Sequence, residues 1–365
     1  MAYLGNLFFK YLIKEFLVKF FLFFMILIGV VYLFEVIELI QRSADKENSS
    51  VGLLFQMALL KLPDVGQQIL PFITLFAAIA TLKNLTDRQE LVCIRAAGLS
   101  AWQFLIPIVT ATFCISVIYV AIIHPLSAAS IARYDSLYAQ YLGDGIETIT
   151  VIDDGIWLRQ EDASGNFILK AKSLNAQSWT LKDVTVFFFD SQDKHTQRID
   201  AKTAKLNPRE WQFSEVSVYN DQGASKSRPT LTLSTNLTIE TLAESFSNPQ
   251  TISFWRLPYF IESLDKTGVD TSEMRAYYQS LLSMPFLLVA MIFLAASITL
   301  RTMRVSSLLP IVAGGLGFGF ITFFMSGFLR ALGLGNEMPM VLAIWSTPTI
   351  IMLLTITFLA QLEDG

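Results

Sequence analysis

The sequence predicts an α-helical membrane protein with six membrane-spanning helices and one inserted all-β domain outside the membrane. Three observations predict this class: an apolar composition, six long apolar stretches, and a polar central third with the periodicity of β-strands. Hydrophobic residues make up 53% of the 365 residues and charged residues 16%, against roughly 45–50% and 25% in soluble domains. The net charge of −4 argues against a nucleic-acid-binding protein, because such proteins usually carry a basic surface.

The six apolar stretches are long enough to cross the hydrocarbon core of a bilayer, which needs about 20 residues of helix. The first stretch follows three lysines but has no small-residue cleavage site, so we interpret it as a retained anchor rather than a signal peptide. The second is interrupted by polar residues, including Lys61 and Asp64. His124 and Pro125 are predicted to end the third. The predicted spans are residues 16–40, 55–82, 102–123, 277–300, 308–329 and 340–360.

The distribution of Lys and Arg between the short loops predicts the orientation, because basic residues concentrate on the cytoplasmic side. With a cytoplasmic N-terminus, the short outer loops hold Arg42, Lys46 and Arg330, and a larger basic set falls on the inner side. Both termini are therefore predicted to be cytoplasmic, with the long polar segment outside. The inner set is Lys10, Lys14, Lys19, Lys83, Arg88, Arg95, Arg301 and Arg304.

The polar segment is predicted to be a soluble β-domain with flanking helices, in the domain division 1–124, 125–275 and 276–365. Its β-rich runs are separated by turn signals, as in an all-β sandwich or roll. Open strands are excluded from lipid because their backbone groups would lack hydrogen-bond partners. An amphipathic helix is predicted at 254–265, leading into the fourth span. The predicted strands are 148–151, 155–159, 166–172, 184–189, 215–219 and 230–235.

The loop between the second and third spans, residues 83–100, contains a candidate docking helix near 86–98. Thr86 is predicted to cap its N-terminus, with Gln89 completing a capping box, and Gly98 to end it in the left-handed conformation. A short, capped, cytoplasmic helix with an exposed carboxylate, here Glu90, suits docking into a groove of a separate motor protein. A surface connector with solvated charges is the alternative.

The sequence contains no pattern typical of catalysis or cofactor binding. It lacks the Gly-x-x-x-x-Gly-Lys-[Ser/Thr] phosphate loop. Its two cysteines cannot alone form a four-ligand zinc site, and its two histidines, His124 and His195, are far apart in the sequence. We therefore predict no catalytic residues, no cofactor and no metal site, and a chain that is not an enzyme. Gly315 and Gly319 form a GxxxG pair in the fifth span. This pair predicts close helix packing or, as the functional alternative, a sliding helix interface that opens a lateral gate.

The segment 87–100 reads Asp-Arg-Gln-Glu-Leu-Val-Cys-Ile-Arg-Ala-Ala-Gly-Leu-Ser. It resembles the coupling-helix signature of the LptF/LptG family of lipopolysaccharide-export permeases: Glu-Leu, a few apolar residues, then Arg/Gln-Ala-x-Gly. Segments 62–71, 155–168 and 259–270 resemble, in order, the second helix of the family, the opening of its periplasmic β-jellyroll and the segment before helix four. The resemblance covers nearly the whole chain and is greater to the LptG branch than to the LptF branch.

The resemblance implies a multi-pass protein of the bacterial inner membrane, with a periplasmic all-β domain that is β-jellyroll-like. It implies the permease subunit of an ATP-driven ABC transporter, which extracts lipopolysaccharide from the outer leaflet and passes it to a periplasmic bridge toward the outer membrane. The implied partners are an LptF-like permease that completes a heterodimer, an LptB-like ATPase dimer that hydrolyses the ATP, and an LptC-like membrane-anchored periplasmic protein.

The resemblance also implies roles for individual residues. Glu90 matches the carboxylate of the coupling helix, which accepts a hydrogen bond from the ATPase. Arg133 matches a basic residue just above helix three that would meet lipid phosphates. The implied ATPase-coupling set is Asp87, Arg88, Glu90, Leu91, Arg95 and Gly98.

The first span departs from the family pattern at the mouth of the implied lipid cavity. Where LptG relatives often carry a Lys, this chain has Tyr32, followed by Glu35 and Glu38. A bound divalent cation would reconcile these carboxylates with an anionic lipid. Arg42 and Lys46 are candidate substitutes for the Lys.

Two other classes of function are consistent with a polytopic membrane protein. An ion-driven secondary transporter would show repeated halves and broken helices with paired ionisable groups, but the third, fourth and sixth spans are nearly free of charges. A membrane-anchored periplasmic binding or scaffold module would not need a helix that docks on a motor protein.

Overall fold

In the computed structural model, the chain forms a bundle of long helices with a β-sheet inserted between the third and fourth spans. Six helices of the described chain are long and apolar enough to cross a membrane, and the predicted fold class is confirmed. The structure describes residues 2–43, 50–96, 98, 100–142, 148–152, 155–162, 165–175, 180–189, 195–207, 210–220, 225–235, 248–267, 271–301 and 309–364.

The bundle and its connections are built from nine described α-helices. In chain order they are α1 (Ala2–Ser43), α2 (Val51–Asp87), α3 (Glu90–Ala96), α4 (Ala101–Ile118), α5 (His124–Tyr141), α6 (Leu257–Thr267), α7 (Ser272–Arg301), α8 (Leu309–Leu334) and α9 (Met340–Asp364). The spans are α1, α2, the α4–α5 pair, α7, α8 and α9. Most are longer than the predicted apolar stretch, because a helix satisfies its own backbone hydrogen bonds and continues through polar residues at its ends.

The third span does not end at His124 and Pro125, and that prediction is wrong. A π-helical turn, Tyr119–Ile123, joins α4 to α5, and the His124 N–H donates to the Tyr119 carbonyl. Pro125 lies in the first turn of α5, where its missing N–H and fixed φ are tolerated. The helix therefore continues to Tyr141.

The centre of the bundle is α7. In the most apolar 18-residue stretch of α7, 78% of the residues are buried, compared with 17% in that of α1 and 22% in that of α8. Its fully buried side chains, such as Leu288 and Ile292, belong to an apolar cluster that also contains residues of α1, α2 and α4. By contrast, α1 and α8 leave wide apolar faces uncovered, as expected of helices that face lipid or another membrane subunit.

The inserted domain is a single antiparallel sheet of seven described strands, each paired with its neighbours in the chain. The strands are β1 (Thr148–Ile152), β2 (Gly155–Asp162), β3 (Gly165–Asn175), β4 (Thr180–Phe189), β5 (His195–Asn207), β6 (Glu210–Asn220) and β7 (Ser225–Ser234). Alternate residues form the core, with Phe167 and Leu169 in β3 and Trp211 and Phe213 in β6 fully buried. This confirms the predicted inserted β-domain and shows an up-and-down strand order.

The strand β5 has no counterpart among the predicted strands. Its sequence is rich in charged residues and threonine, and two of its four buried hydrophobic positions, Ala201 and Ala204, carry only a methyl group. It pairs on one edge with β4 and on the other with β6. Pairing on both edges therefore stabilises a strand whose own residues give only a weak β signal.

The chain returns from the sheet along the third span. Residues 248–255, here called the return segment, include a short 3₁₀ turn at Pro249–Thr251. Three of their hydrogen bonds reach α5 or the π-helical turn. These run from Asn248 Nδ2 to Asp135 Oδ2 (3.3 Å), from the Phe254 N–H to His124 Nδ1 (3.2 Å) and from Trp255 Nε1 to the Ala121 carbonyl (3.0 Å).

The predicted amphipathic helix before the fourth span is present as α6. Its apolar residues Leu257 and Leu264 are buried. At its end, Asp265 accepts hydrogen bonds from Thr271 Oγ1 at 2.6 Å and from Arg275 Nη2 at 2.5 Å. The bond from Thr271, together with the Arg275 guanidinium, holds the pKa of the Asp265 carboxyl below its usual range. These contacts attach α6 to the start of α7.

Candidate functional site

The candidate docking helix is α3, which lies between α2 and α4. Within the predicted 86–98 segment, the helix begins at Glu90. Thr86 does not cap it, because α2 continues to Asp87 and the Thr86 Oγ1 donates to the Leu82 carbonyl at 2.8 Å. The predicted capping box at Thr86 is therefore wrong.

The capping box of this loop belongs to α4. Ser100 Oγ accepts from the Gln103 N–H at 3.3 Å, and Gln103 Oε1 accepts from the Ser100 N–H at 3.2 Å. The helix α3 itself lies between two residues with positive φ, Gln89 at +59° and Gly98 at +81°. Both lie in the left-handed region, so the chain turns sharply on each side of α3. The conformation expected at Gly98 is thus present.

The helix α3 has one apolar face toward the bundle and one exposed face. Leu91 is fully buried and Ile94 is 8% exposed, whereas Val92 is 60% exposed and Cys93 is also exposed. Leu91 belongs to the same apolar cluster as residues of α1 and α2. The helix is therefore held by hydrophobic contact and leaves a free surface. The side chain of Arg95 lies outside the described part of the chain.

The Glu90 carboxylate lies at the centre of the site. The Tyr11 hydroxyl of α1 donates to it, at 2.9 Å from Oε2 and 3.1 Å from Oε1. Arg88 Nη1 lies 3.9 Å from Oε1, and 34% of the Glu90 side chain is exposed. A carboxylate has about four acceptor positions, and Tyr11 supplies one proton. Glu90 therefore keeps acceptor capacity on its exposed side.

A second group of polar contacts joins α1 to the end of α2. Asn84 Nδ2 donates to Glu15 Oε1 at 2.6 Å, and Lys19 Nζ lies 3.9 Å from the same oxygen. Lys83 forms an i,i+4 ion pair with Asp87, whose side chain is 56% exposed. Sequence reasoning missed the Asn84–Glu15 contact and the one from Tyr11, since partners 69 and 79 residues apart leave no local spacing signal.

At the other end of α1, both candidate cavity carboxylates have basic partners. Glu35, only 8% exposed, accepts from Lys61 Nζ of α2 at 2.6 Å. Glu38 pairs with Arg42 at 2.5 Å, and Arg42 also donates to the Tyr138 hydroxyl at 3.2 Å. No group of three or more His, Cys, Asp and Glu side chains suited to a metal ion occurs among the described residues. Each of the two carboxylates therefore has a basic side chain as its counter-charge.

The remaining cavity candidates lie on three segments. The Tyr32 hydroxyl donates to the Phe55 carbonyl at 3.3 Å and joins α1 to α2. Arg133 is exposed on α5, and Lys46 lies outside the described residues. The cation missed by sequence reasoning as a partner of α1 is Lys61, which also lies over the Tyr134 ring at 5.6 Å. It therefore connects α1, α2 and α5.

The two glycines of the GxxxG pair lie against α2. A Cβ at Gly315 would come within 2.6 Å of Ile79 Cδ1, and one at Gly319 within 3.0 Å of Phe72 Cε1. A Cβ at Gly317, between them in sequence, would meet no heavy atom within 4 Å. The two glycines therefore let α8 approach α2 closely, as small residues do in membrane helix pairs.

A polar chain that the sequence did not predict crosses the bundle at His124. The Phe254 N–H donates to His124 Nδ1, so Nε2 carries the proton in the neutral ring. Nε2 lies 3.0 Å from the Tyr277 hydroxyl, which in turn donates to Gln67 Oε1 at 3.3 Å. This chain links the return segment, α5, α7 and α2, and satisfies a histidine that is 1% exposed.

Comparison with known proteins agrees with this arrangement. The family described as lipopolysaccharide export system permease LptF/LptG matches residues 10–361. The lipopolysaccharide export system permease protein LptG of Escherichia coli K12 is 23% identical over 290 residues, which cover 77% of this chain and 78% of that protein. LptG of Escherichia coli O6:H1 matches with the same identity and coverage. The chain therefore belongs to the LptF/LptG family, whose members are membrane permeases of lipopolysaccharide export and not catalytic enzymes.

Proposed function

We propose that the chain is the LptG-like permease subunit of an ATP-driven ABC transporter that extracts lipopolysaccharide from the outer leaflet of the inner membrane. The lipid then passes to a periplasmic bridge toward the outer membrane. The observation that carries this proposal is α3, a short helix that packs on the bundle through Leu91 and exposes part of the Glu90 carboxylate. A permease without an ATP site needs such a surface to receive work from a separate ATPase.

The docking surface would combine the exposed face of α3 with the charged residues that directly precede the helix. Val92 and Cys93 are exposed beside Glu90, and Arg88 and Asp87 both expose 56% of their side chains just before it. This mixture of a small apolar surface and charged rim suits a groove in a protein partner. We assign this groove to an LptB-like ATPase dimer on the cytoplasmic side, where both chain termini would also lie.

The exposed apolar faces of α1 and α8 support a membrane partner and a lipid cavity. An LptF-like permease would complete the cavity, and an LptC-like protein would contribute a further membrane helix. The lipid's phosphates would meet basic groups at the cavity mouth, for which exposed Arg133 and the ion-paired Arg42 are candidates. The close contact of Gly315 and Gly319 with α2 would serve as the sliding surface of a lateral gate.

The β-domain would pass lipid onward through its edges. The outermost strands of the described sheet are β1 and β7, and each is paired on one side with another described strand. Addition of a strand from a similar domain at such an edge is a common recognition mode. An LptC-like β-domain on the periplasmic side would extend the sheet in this way.

The proposal is tested by recovering tagged protein from detergent-solubilised membranes. Wild-type protein should bring down an ATPase subunit and a second six-helix permease. Glu90→Ala should lower ATPase recovery by about tenfold or more, because a hydrogen bond to a charged group contributes about 1.5–3 kcal/mol, and should leave the permease partner bound.

Glu215→Ala is the matched control, since Glu215 is an exposed carboxylate on the sheet that pairs with Lys202 at 3.1 Å. It should recover the ATPase as wild type does. If wild-type protein comes out alone or only with periplasmic proteins, the motor-coupled function is wrong and a membrane-anchored binding module is favoured.

A further inference from the structure

The contact between Tyr11 and Glu90 joins the first span directly to the docking helix. Tyr11 belongs to α1, and its hydroxyl reaches both carboxylate oxygens of Glu90, 79 residues away in the chain. The peptide connection of α3 runs through α2 and α4 instead. The hydroxyl therefore provides α3 with a mechanical link that its own loop does not supply.

The α1 side of this link is firmly packed. Leu12, next to Tyr11, and Phe16, one turn further, are both fully buried. They belong to one apolar cluster with Leu85 of α2 and Leu91 of α3. The Asn84–Glu15 hydrogen bond fixes the same stretch of α1 to α2. Since interiors packed in this way transmit displacement, a shift of α3 would act on α1 rather than be absorbed locally.

The other end of α1 carries the candidate cavity residues. The helix is continuous over Ala2–Ser43, and the 24 residues from Tyr11 to Glu35 correspond to about 36 Å at the rise of an α-helix. Glu35 is paired there with Lys61 of α2. A change in the tilt of α1 would therefore reach the ion pair.

We propose that Tyr11 is a positioning residue that orients the Glu90 carboxylate and transmits movement of α3 to the first span. The inference rests on the docking role proposed above for α3. Tyr11 does not itself occupy the docking surface, because its single hydroxyl proton leaves the exposed acceptor positions of Glu90 free. Loss of this hydroxyl should therefore leave the ATPase bound and reduce the transport that its ATP hydrolysis drives.

The contact is first measured with the native thiol Cys93, which is exposed on α3. A nitroxide label on Cys93, in a Cys114→Ala background, reports the mobility of α3 in the detergent-solubilised full chain. Tyr11→Phe keeps the ring and removes the hydroxyl, and it should raise the detached fraction of α3 by about tenfold, as expected for a lost bond to a charged acceptor. Tyr138→Phe is the control: it removes a hydroxyl that accepts a hydrogen bond from Arg42, far from α3 along the chain, and should leave the mobility of the label unchanged.

Transmission is measured in proteoliposomes that contain the permease pair, the ATPase and lipopolysaccharide. We expect Tyr11→Phe to retain wild-type ATPase recovery and ATP hydrolysis but to release lipopolysaccharide about tenfold more slowly. In Glu90→Gln the amide oxygen still accepts from Tyr11, although more weakly than a carboxylate, so label mobility should rise less than in Tyr11→Phe while ATPase recovery falls. The two variants therefore separate the link to α1 from the charge used for docking.

The double variant Tyr11→Phe/Glu90→Ala completes the test. If Tyr11 acts through Glu90, adding Tyr11→Phe to Glu90→Ala changes label mobility no further. Additive effects, unchanged mobility or unchanged transport in Tyr11→Phe would overturn the proposal, as would loss of ATPase recovery in that variant. If the wild-type protein recovers no ATPase, the proposed function is contradicted instead. The proposed transmission role of Tyr11 would then be rejected as well, even if the label confirmed the contact between Tyr11 and Glu90.

Discussion

At the scale of single residues, the backbone conformations of Gln89 and Gly98 set the direction of α3. Both have positive φ, which places an L side chain in a sparsely populated region, whereas glycine adopts it freely. The Cβ that would be added at Gly98 meets no heavy atom within 4 Å. The conformation of the backbone, and not lack of space, therefore requires glycine at this position.

Gly98→Ala should consequently destabilise the end of α3 by about 1–2 kcal/mol, the usual cost of a left-handed L-residue. Hydrogen–deuterium exchange of residues 90–98 in the purified chain should accelerate by roughly 5- to 30-fold. Gly29→Ala is the control, since it also has open space around it but lies inside α1, where alanine favours the helix. Equal protection in both variants would show that φ does not determine the stability of this turn.

Single residues also show where sequence reasoning succeeds and where it ends. A local motif indicates Glu90 as a candidate in the sequence, but no pattern indicates its contact with Tyr11, because that contact depends on tertiary packing. Thr86 was wrongly placed as a helix cap, since the same Ser/Thr-x-x-Gln pattern occurs at Ser100 and the pattern alone does not say which helix continues. The ion pair of Glu35 with Lys61 is another contact that only the fold brings together.

At the scale of elements, the α8–α2 contact depends on side chains being absent at two positions of one face. The Cβ positions at Gly315 and Gly319 are already within 2.6 and 3.0 Å of side-chain carbons of α2. A Cβ at 2.6 Å is closer than real Cβ atoms come, and one at 3.0 Å is tighter than most real Cβ contacts, so a larger residue must push the helices apart or displace Ile79 and Phe72. The sequence predicted this packing from spacing alone, although it did not identify α2 as the partner.

Gly315→Leu should lower the thermal unfolding midpoint of the detergent-solubilised chain, because overpacking a close contact costs about 1–3 kcal/mol. Gly317→Leu is the matched control on the same helix, since no heavy atom lies within 4 Å of its Cβ position. It should leave the midpoint nearly unchanged. If both variants lower the midpoint equally, the loss of stability comes from replacing glycine within α8 itself and not from the contact with α2.

The same scale shows which elements a sequence pattern can locate. The sequence predicts the spans because about 20 consecutive apolar residues rarely occur outside membrane helices. It predicts the apolar strands because apolar and polar side chains alternate along them. The strand β5 was missed since its partners, rather than its composition, make it a strand. The sequence does not predict the extension of the third span beyond His124. A π-helical turn precedes Pro125 and lets the helix continue, and such a turn has no distinct sequence signature.

At the scale of the whole molecule, the proposed orientation predicts that the two ends of the bundle differ in their accessibility to a reagent that cannot cross the membrane. Cys93 on α3 should react with an impermeant maleimide only after the inner membrane is opened. A Lys202→Cys variant lacking both native cysteines should react in intact spheroplasts, because the Lys202 side chain is 66% exposed on β5. The opposite pattern would place the sheet in the cytoplasm and exclude its proposed role in receiving lipid.

The return segment has a mechanical consequence for the sheet as a body. The chain enters the sheet from the end of α5 and leaves it along the same helix, through the bonds of Asn248, Phe254 and Trp255. Because the described chain on either side of the sheet contacts the third span, a tilt of that span would carry the entrance and the exit of the sheet in the same direction.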